Sequence, residues 1–333
     1  MPQDFSEDLD RARNGDERAF ARLIEPLRRE LHAHCYRMLG SVHDADDALQ
    51  LTWTRAWRGL ARFEGRSPVR TWLYTTATRV CLDLAETRGR RAVPVDLGPA
   101  SAHPILDSQP RADVAWLTPY ASGPHDRVER AETITLAFVA ALQHLAPNQR
   151  AALLLFEVLD FSAAEIAGIM RTSATSVNSA LARARRVLAE RVPASPPQGG
   201  TDPAVRRLAS RFAAALEAGD LDTFVSLLTR DVTWTMPPLP HWYAGAEAVA
   251  RFAHEMPMTR CPSWQWRPVT ANGQPAIAFY LGADPGSSHE AWSITVLEVR
   301  DGLVGAISSF LDPDLFPAFE LPLALPGRVT LRR

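Results

Sequence analysis

Small polar side chains and then arginines follow one another along residues 173–186, in a pattern that suits contact with DNA. The hydroxyl and amide groups come first and the arginines stand further along: Ser173, Thr175, Ser176, Asn178, Ser179, Arg183, Arg185 and Arg186. Short polar side chains near the start of a helix can reach base edges in the major groove, whereas arginines suit phosphates. An ordinary helical hairpin with a solvated basic end is the alternative.

A helix-turn-helix is the element that would position these side chains. Ser162 and Glu165 form a capping-box pattern, which predicts the start of its first helix. Arg171 stands in the turn, where glycine is common because it tolerates positive φ. The apolar spacing predicts that the inner faces of the two helices carry Ile166, Ala167, Met170, Val177 and Leu181.

Helical periodicity covers two blocks of the chain, residues 5–90 and 126–192. Within the first block, Asn14-Gly15-Asp16 and Gly40-Ser41 are turn signals, and Asp16 and Ser41 are predicted N-caps. Between the blocks, prolines recur from Pro94 to Pro124 and exclude a long helix. Residues 91–125 are therefore predicted to form an extended linker, with a compact all-loop domain as the alternative.

A third part of the chain follows a second predicted linker over residues 193–202. Helices are expected over 203–219, 220–229 and 245–256, and strands over 263–270, 276–281, 292–300 and 303–310. Asp301-Gly302 is a hairpin turn signal between the last two strands. Helices followed by a meander of strands indicate an α+β domain over residues 203–323.

The bulk composition excludes several classes of protein. A net charge of −2 gives no general attraction to nucleic acid, so any basic surface must be local. Cys35, Cys81 and Cys261 lack metal-ligand spacing, so we predict that each packs as a small apolar side chain and that the protein binds no metal. Free cysteines fit a reducing cytoplasm, and no cofactor is predicted. The acidic N-terminus is no secretory signal, and no run approaches the ~18 apolar residues of a membrane helix.

The two helical blocks resemble region 2 and region 4 of the sigma-70 superfamily, in its extracytoplasmic-function (ECF) branch. The matching runs are CYRMLGSVHDADDALQLTWTRAW at 35–57, RFEGRSPVRTWLYTTATRVCLDLAE at 62–86 and ALQHLAPNQRAALLLFEVLDFSAAEIAGIM at 141–170. They stand in order, at family spacing, across nearly all of residues 8–192. The resemblance implies two all-α domains and a bacterial alternative sigma factor, which directs promoter-specific transcription initiation and is not an enzyme.

The resemblance also assigns roles to particular residues. One helix would dock on the coiled coil of the polymerase β′ subunit, through Asp44, Asp46, Asp47, Gln50 and Arg55. Acidic residues one turn apart form a compact negative patch for basic partner side chains. A solvated helix N-terminus, where acids favour the macrodipole, is the alternative. The implied partners are the β′ and β subunits of core RNA polymerase and the −10 and −35 elements of promoter DNA.

The implied −10 contacts begin with a loop that captures an unstacked base. Such a loop needs an apolar wall, a flexible glycine and charges for phosphate. The loop and the helix after it would contribute Phe63, Glu64, Gly65, Arg66, Ser67, Arg70, Thr71, Tyr74, Thr75, Thr78 and Arg79. In region 4, the residues from Ser173 to Arg186 named above would contact the −35 element.

Residues 205–322 resemble the SnoaL-like, NTF2-like superfamily, in which a curved sheet and helices form a cone. The resemblance rests on RRLASRFAAALEAGDLDTFVSLLTRDVTWTMPP at 206–238 and FLDPDLFPAFELP at 310–322. Such cones have a pocket, and a small ligand is therefore a candidate partner. Candidates to line the pocket, unless they simply fill the cone, are Trp234, Met236, Trp242, Tyr243, Trp264, Phe279 and Trp292.

Two other functions stay open at the level of sequence. One is a ligand-responsive DNA-binding regulator that acts without polymerase. The other is a SnoaL-like isomerase or cyclase fused to a DNA-binding module, for which Asp231, His241 and His254 are available as acid and base by residue type. We expect the C-terminal domain to regulate the sigma factor instead.

Overall fold

The computed structural model describes residues 3–121, 134–192, 199–200 and 202–328. The chain divides into two compact units, of which the first comprises residues 1–91 and 137–193. The second comprises residues 92–136 and 194–333. Residues 92–121 thus belong with the C-terminal unit, which differs from the expected extended linker. In the described part of the chain, no helix is long and apolar enough to span a bilayer.

Five helices form the first block of the first unit. They are α1 (Gln3–Arg13), α2 (Glu17–Ile24), α3 (Arg28–Leu39), α4 (Val42–Leu60) and α5 (Val69–Arg88). Asp16 caps α2 and Ser41 caps α4 through side chains that accept backbone N–H bonds, as predicted. The buried faces of α3 and α5 carry Cys35 and Cys81, which are free thiols in an apolar core, also as predicted.

The second block contains the helix-turn-helix. Its helices are α6 (Leu136–Gln143), α7 (Pro147–Leu153) with a π-helical continuation (Leu154–Val158), α8 (Ala163–Met170) and α9 (Ala174–Arg191). The capping box is confirmed, because the Ser162 amide donates to the Glu165 carboxylate at 2.8 Å and the Glu165 amide donates to the Ser162 hydroxyl at 3.3 Å. The start of the predicted helical block, residues 126–133, lies outside the described residues.

The turn between α8 and α9 confirms the helix-turn-helix despite its arginine. Arg171 ends α8 in the left-handed conformation, with φ 53° and ψ 49°, which a glycine would adopt at lower cost. Val177 and Leu181 are buried as predicted. In α8 the buried pair is Ile166 and Ile169, whereas Ala167 and Met170 are only half-buried.

A buried arginine joins the two blocks of the first unit. The Arg150 guanidinium donates to the carbonyls of Leu142 at 2.8 Å and Leu145 at 3.2 Å, and to the Gln143 side chain at 3.0 Å. It also donates to the carbonyl of Met38 in α3. Burial lowers the pKa of Arg150 to about 10, which still leaves the group charged at neutral pH.

The C-terminal unit is a mixed sheet with helices against it. Its helices are α10 (Pro203–Ala218), α11 (Leu221–Ser226) and α12 (Ala246–Glu255). Its strands are β1 (Leu228–Thr235), β2 (Trp242–Ala244), β3 (Ser263–Ala271), β4 (Gln274–Gly282), β5 (His289–Arg300), β6 (Leu303–Phe310) and β7 (Ala324–Leu325). The order is β2-β1-β6-β5-β4-β3, with β7 on β5; only the β1–β6 pair is parallel among the described strands.

The predicted strands of this unit and its α+β class are confirmed, but three strands escaped prediction, namely β1, β2 and β7. Residues 228–235 form β1, where the sequence predicted the end of a helix over 220–229. The strand forms because residues 228–235 pair with both β2 and β6. This pairing with other strands stabilises the extended conformation, and the local spacing of apolar residues does not reveal it. Asp301 and Gly302 make the predicted hairpin turn, with φ values of 50° and 75°.

We predict that Arg150→Met destabilises the first unit by about 2–4 kcal/mol, because several buried carbonyls would lose a charged donor. Urea unfolding of the full chain measures the change. Arg206→Met, at an exposed arginine of α10, is the matched control and should shift stability by less than ~0.5 kcal/mol. Equal effects of the two substitutions would show that Arg150 does not hold the blocks together.

Candidate functional site

The face of α9 predicted to contact DNA is largely exposed. Thr175, Ser176 and Asn178 and the three arginines are exposed, whereas Ser179 is half-buried. The Ser173 hydroxyl accepts the Ser176 amide at 3.1 Å and so caps the helix. Arg185 pairs with Glu157 at 2.5 Å and lies over the Phe156 ring. The helix thus presents short polar groups at its capped start and positive charge further along.

The loop predicted to capture a nucleobase has an apolar floor and charged residues at its edge. Phe63 is buried, and its ring packs on Trp72 with centroids 4.8 Å apart. Gly65 has a φ of 73°, a conformation that favours glycine. Exposed Glu64 and Arg66 form an ion pair beside it. Ser67 is half-buried.

Two predicted DNA contacts on α5 are instead core residues. The Tyr74 ring is 1% exposed and meets the His34 ring edge-on at 5.4 Å. The buried Thr78 hydroxyl is hydrogen-bonded to Nε2 of His34 at 3.0 Å. One helical turn separates Tyr74 from Thr78, so both lie on the inner face of α5. Burial lowers the pKa of His34 to about 3, so the ring is neutral.

The side chains beside Tyr74 and Thr78 reach other protein groups. Arg79 donates to the carbonyls of Ile169 at 2.9 Å and Gly168 at 3.3 Å, near the C-terminus of α8. Arg70 makes a two-pronged ion pair with Glu30. Half-buried Thr75 donates its hydroxyl to the carbonyl of Thr71, which is also half-buried.

Region 4 covers this same part of α5. The Phe161 ring, just before α8, meets the Tyr74 ring edge-on with centroids 6.4 Å apart. Together with the Arg79 bonds and the Arg150 bond to Met38, it packs the helix-turn-helix block against α3 and α5. Sequence reasoning missed Phe161 and Arg150, because nothing in their spacing tells which block they contact.

The acidic residues of α4 do not form a uniformly exposed patch. Asp44 is 6% exposed and forms ion pairs with Arg88 and Arg91. Its carboxylate is therefore engaged inside the unit, which corrects the expectation of a docking surface at that position. Asp46 and Asp47 are exposed, and each also has a partner, His32 at 3.0 Å and Arg88 at 2.8 Å respectively.

Further along α4, two more predicted docking residues are exposed. Gln50 is exposed on the same helix, and exposed Arg55 pairs with Asp83 of α5 at 2.8 Å. Of the five residues predicted to dock, Asp46, Asp47, Gln50 and Arg55 are thus exposed.

The cone contains a partly open cavity of about 410 Å³, so its aromatic side chains do not fill it. Five of the seven predicted lining residues do line it: Trp234, Met236, Trp264, Phe279 and Trp292. Trp242 and Tyr243 do not, which corrects the prediction. They sit on β2, where Tyr243 is buried against Phe252, with ring centroids 4.4 Å apart, and both residues bind the segment before region 4.

Residues 92–121 are bound along the cone by main-chain hydrogen bonds. The Ser101 amide donates to the Trp242 carbonyl at 2.7 Å, and the Arg111 amide donates to the Pro238 carbonyl at 2.9 Å. The Ile105 amide donates to the Tyr243 hydroxyl at 3.0 Å. Residues 105, 106, 108 and 110 line the cavity itself. We call residues 92–121 the docked linker.

The docked linker is held at its far end as well. The Tyr120 amide donates to the Asn272 side chain at 2.8 Å, and Ala121 forms a bridge with Ala271. Near its start, the Trp242 indole donates to the Gly98 carbonyl at 2.9 Å. Residues 92–121 are therefore neither a free extended linker nor a compact all-loop domain of their own, because they belong to the same compact unit as the cone.

Three comparisons with known proteins agree on the layout. The family model for Sigma-70 region 2 matches residues 23–91, that for Sigma-70, region 4 matches residues 135–188, and that for the SnoaL-like domain matches residues 209–306. The ECF RNA polymerase sigma factor SigG of Mycobacterium tuberculosis is 42% identical over 326 residues, which cover 94% of this chain and 86% of SigG. The chain belongs to the ECF RNA polymerase sigma factors.

Another member of the family shares the layout in three dimensions. SigJ of Mycobacterium tuberculosis is 30% identical over 309 residues. Its crystal structure matches with a TM-score of 0.59 and 27% identity, covering 90% of this chain and 98% of that chain. The sigma factor therefore has RNA polymerase and promoter DNA as partners in transcription initiation, and it is not an enzyme.

The three acid and base candidates of the sigma factor lie in different surroundings. His241 lines the cavity, but Asp231 and His254 do not. Asp231 is largely exposed and pairs with Arg300 at 3.4 Å, and His254 is exposed. The three groups that residue type made available for catalysis are thus not brought together in the cone.

We predict that Tyr243→Phe loosens the docked linker locally. The Ile105 amide would lose its acceptor, so its hydrogen exchange should accelerate about 3–10-fold, the effect of one hydrogen bond. Tyr280→Phe is the matched control, because the Tyr280 hydroxyl donates to the Pro322 carbonyl rather than to the linker. Unchanged exchange at Ile105 in the first variant would contradict the contact.

Proposed function

We propose that this sigma factor reads the −35 element through α9, with short polar groups on base edges and arginines on phosphates. The proposal rests on one observation about α9, the second helix of the helix-turn-helix, which is capped at its start. Its exposed face carries short polar side chains first and arginines further along. The proposed contacts are Ser173, Thr175, Ser176, Asn178, Ser179, Arg183, Arg185 and Arg186. The protein would act in the cytoplasm.

For the −10 element, the proposed contacts lie in the loop and on the outer face of α5. The loop has exposed charged residues beside a packed aromatic side chain, and this combination suits capture of a single unstacked nucleobase. The proposed residues are Phe63, Glu64, Gly65, Arg66, Ser67, Arg70, Thr71, Thr75 and Arg79. Tyr74 and Thr78 are left out because both are buried in the core of region 2.

Docking on core polymerase is proposed for the exposed face of α4, formed by Asp46, Asp47, Gln50 and Arg55. Its acidic end suits basic side chains of the β′ coiled coil, and contact with the β subunit belongs to the same proposal. Asp44 would act indirectly, because its ion pairs with Arg88 and Arg91 join the start of α4 to the end of α5.

The packing of region 4 on region 2 is proposed to be a resting arrangement. Promoter elements recognised by two domains lie apart on DNA, whereas here Phe161 and Arg79 join the two domains directly. Arg79 cannot contact phosphate while it is bonded to the carbonyls of α8. Binding to polymerase would therefore have to separate region 4 from α5 before both elements are contacted.

The C-terminal unit is proposed to regulate that separation by holding the linker. A linker that is hydrogen-bonded along the cone cannot at the same time run extended between two DNA-binding domains. An extended segment spans ~3.1–3.3 Å per residue. Release of residues 92–121 from the cone would therefore provide most of the distance that the linker can span between the two DNA-binding domains. The cone would thus oppose initiation while the linker is docked.

Charge reversal on α4 tests the polymerase contact. We expect Asp46→Lys with Asp47→Lys to reduce promoter-specific transcription in vitro at least ~10-fold, because like charges across an interface cost several kcal/mol. Asp222→Lys with Glu247→Lys is the matched control, since it changes net charge equally at exposed acids of the C-terminal unit. Full activity of the α4 variant, folded by circular dichroism, would refute the proposed contact.

Loss of one ring tests the resting arrangement. Phe161→Ala removes the contact with Tyr74 without changing a proposed DNA contact, so region 4 should separate from region 2 more readily. Energy transfer between dyes attached at exposed Arg58 and Arg183 should fall in the free protein. Phe156→Ala is the matched control, because that ring packs on Arg185 of α9. Identical transfer in both variants would rule out the arrangement.

A further inference from the structure

The cone cavity has a wall without permanent charge. Among the described residues, the ionisable ones that line it are His241 and Cys261, and none of the lining residues is an aspartate, glutamate, lysine or arginine. Burial lowers the pKa of His241 and raises that of Cys261 to about 11, so both are neutral at pH 7. A charged molecule would therefore lose its hydration on entry and gain no counter-charge.

One polar atom in this wall lacks a partner. His241 is 7% exposed, and its Nε2 has no hydrogen-bond partner within the described parts of the chain. A buried polar atom left in this way costs free energy, and a bound molecule can supply the missing bond. The hydroxyls of Thr295 and Ser309, which also line the cavity, are already bonded to each other at 2.9 Å.

We propose that the cavity is a binding site for an uncharged, mainly apolar small molecule with one hydrogen-bonding group, which binds Nε2 of His241. The volume of about 410 Å³ lies within the ~300–1,000 Å³ typical of small-molecule sites. Aromatic and aliphatic side chains supply the apolar wall, among them Trp234, Trp264 and Leu239. The occupant is thus a neutral, lipid-like molecule and not a carboxylate, phosphate or amine.

Binding of this molecule would strengthen the docked linker. Ile105, Leu106 and Pro110 of the linker form part of the cavity wall, so the occupant contacts them only while the linker is docked. A ligand stabilises the state that it binds better. The occupant therefore holds residues 92–121 on the cone.

His241 connects the occupant to the linker in a second way. Its Nδ1 is hydrogen-bonded to the Ser108 hydroxyl at 3.0 Å. In a neutral imidazole one nitrogen donates and the other accepts, so the group bound at Nε2 determines which role Nδ1 plays toward Ser108. Only the consequence for transcription rests on the regulatory role proposed above, because the site itself lies wholly within the C-terminal unit.

A displacement experiment on the full chain tests the ligand class. Nile red, an uncharged apolar dye, should bind saturably and be displaced by 1-decanol at least tenfold more effectively than by decanoate or decylammonium. These three compounds share an apolar body and differ in the charge of the head. Absence of saturable Nile red binding, or equal displacement by all three, would overturn the proposal.

Two substitutions locate the binding. His241→Phe removes the unpartnered nitrogen and should weaken decanol binding about 3–10-fold, the effect of one hydrogen bond. His254→Phe is the matched control at an exposed histidine outside the cavity and should leave binding unchanged. Cys261→Trp fills the wall and should abolish Nile red binding in a chain that stays folded by circular dichroism. Unaltered binding in this last variant would place the dye elsewhere and refute the site.

Hydrogen exchange tests the effect on the linker. With saturating 1-decanol, the amides of Ser101, Ile105 and Arg111 should exchange at least threefold more slowly, and Ser108→Ala should diminish the effect. Unchanged exchange despite bound decanol would refute the coupling. Neither experiment contains polymerase or promoter DNA, so failure here is distinguishable from failure of the proposed regulation of transcription.

Discussion

Buried main-chain groups need hydrogen-bond partners, and residues 92–121 find them partly within the segment and partly on the cone. The internal bonds come from a 3-10 turn (Pro94–Asp96) and from Ala92, whose amide donates to the Ala115 carbonyl and whose carbonyl accepts the Leu117 amide. The amides of Ser101, Ile105 and Arg111 instead find acceptors on or beside β2. The position of the linker therefore depends on an intact cone.

A comparable constraint acts within the first unit. The Arg150 guanidinium is buried, and burial of a charge is tolerated only where donors are satisfied. The acceptors come from both blocks, with the Met38 carbonyl on one side and those of Leu142 and Leu145 on the other. Packing of region 4 against region 2 is therefore part of the core of the first unit.

The cavity and the docked linker share residues, which gives the C-terminal unit two linked properties. Ser108 binds His241, and Ile105 and Leu106 complete the wall of the cavity. The same residues of the docked linker thus contact the cone and border its cavity.

The sequence by itself determined the family, the helix-turn-helix with its capping box, the α+β class of the C-terminal unit and five residues of the cavity wall. These features are local, because caps, turns and apolar periods are set by neighbours in the chain. Tertiary structure alone decided that Tyr74, Thr78 and Asp44 are buried, that β1 is a strand and that the linker is docked. Each of these depends on partners that are distant in sequence: Phe161 for Tyr74, β6 for β1, and β2 for the linker.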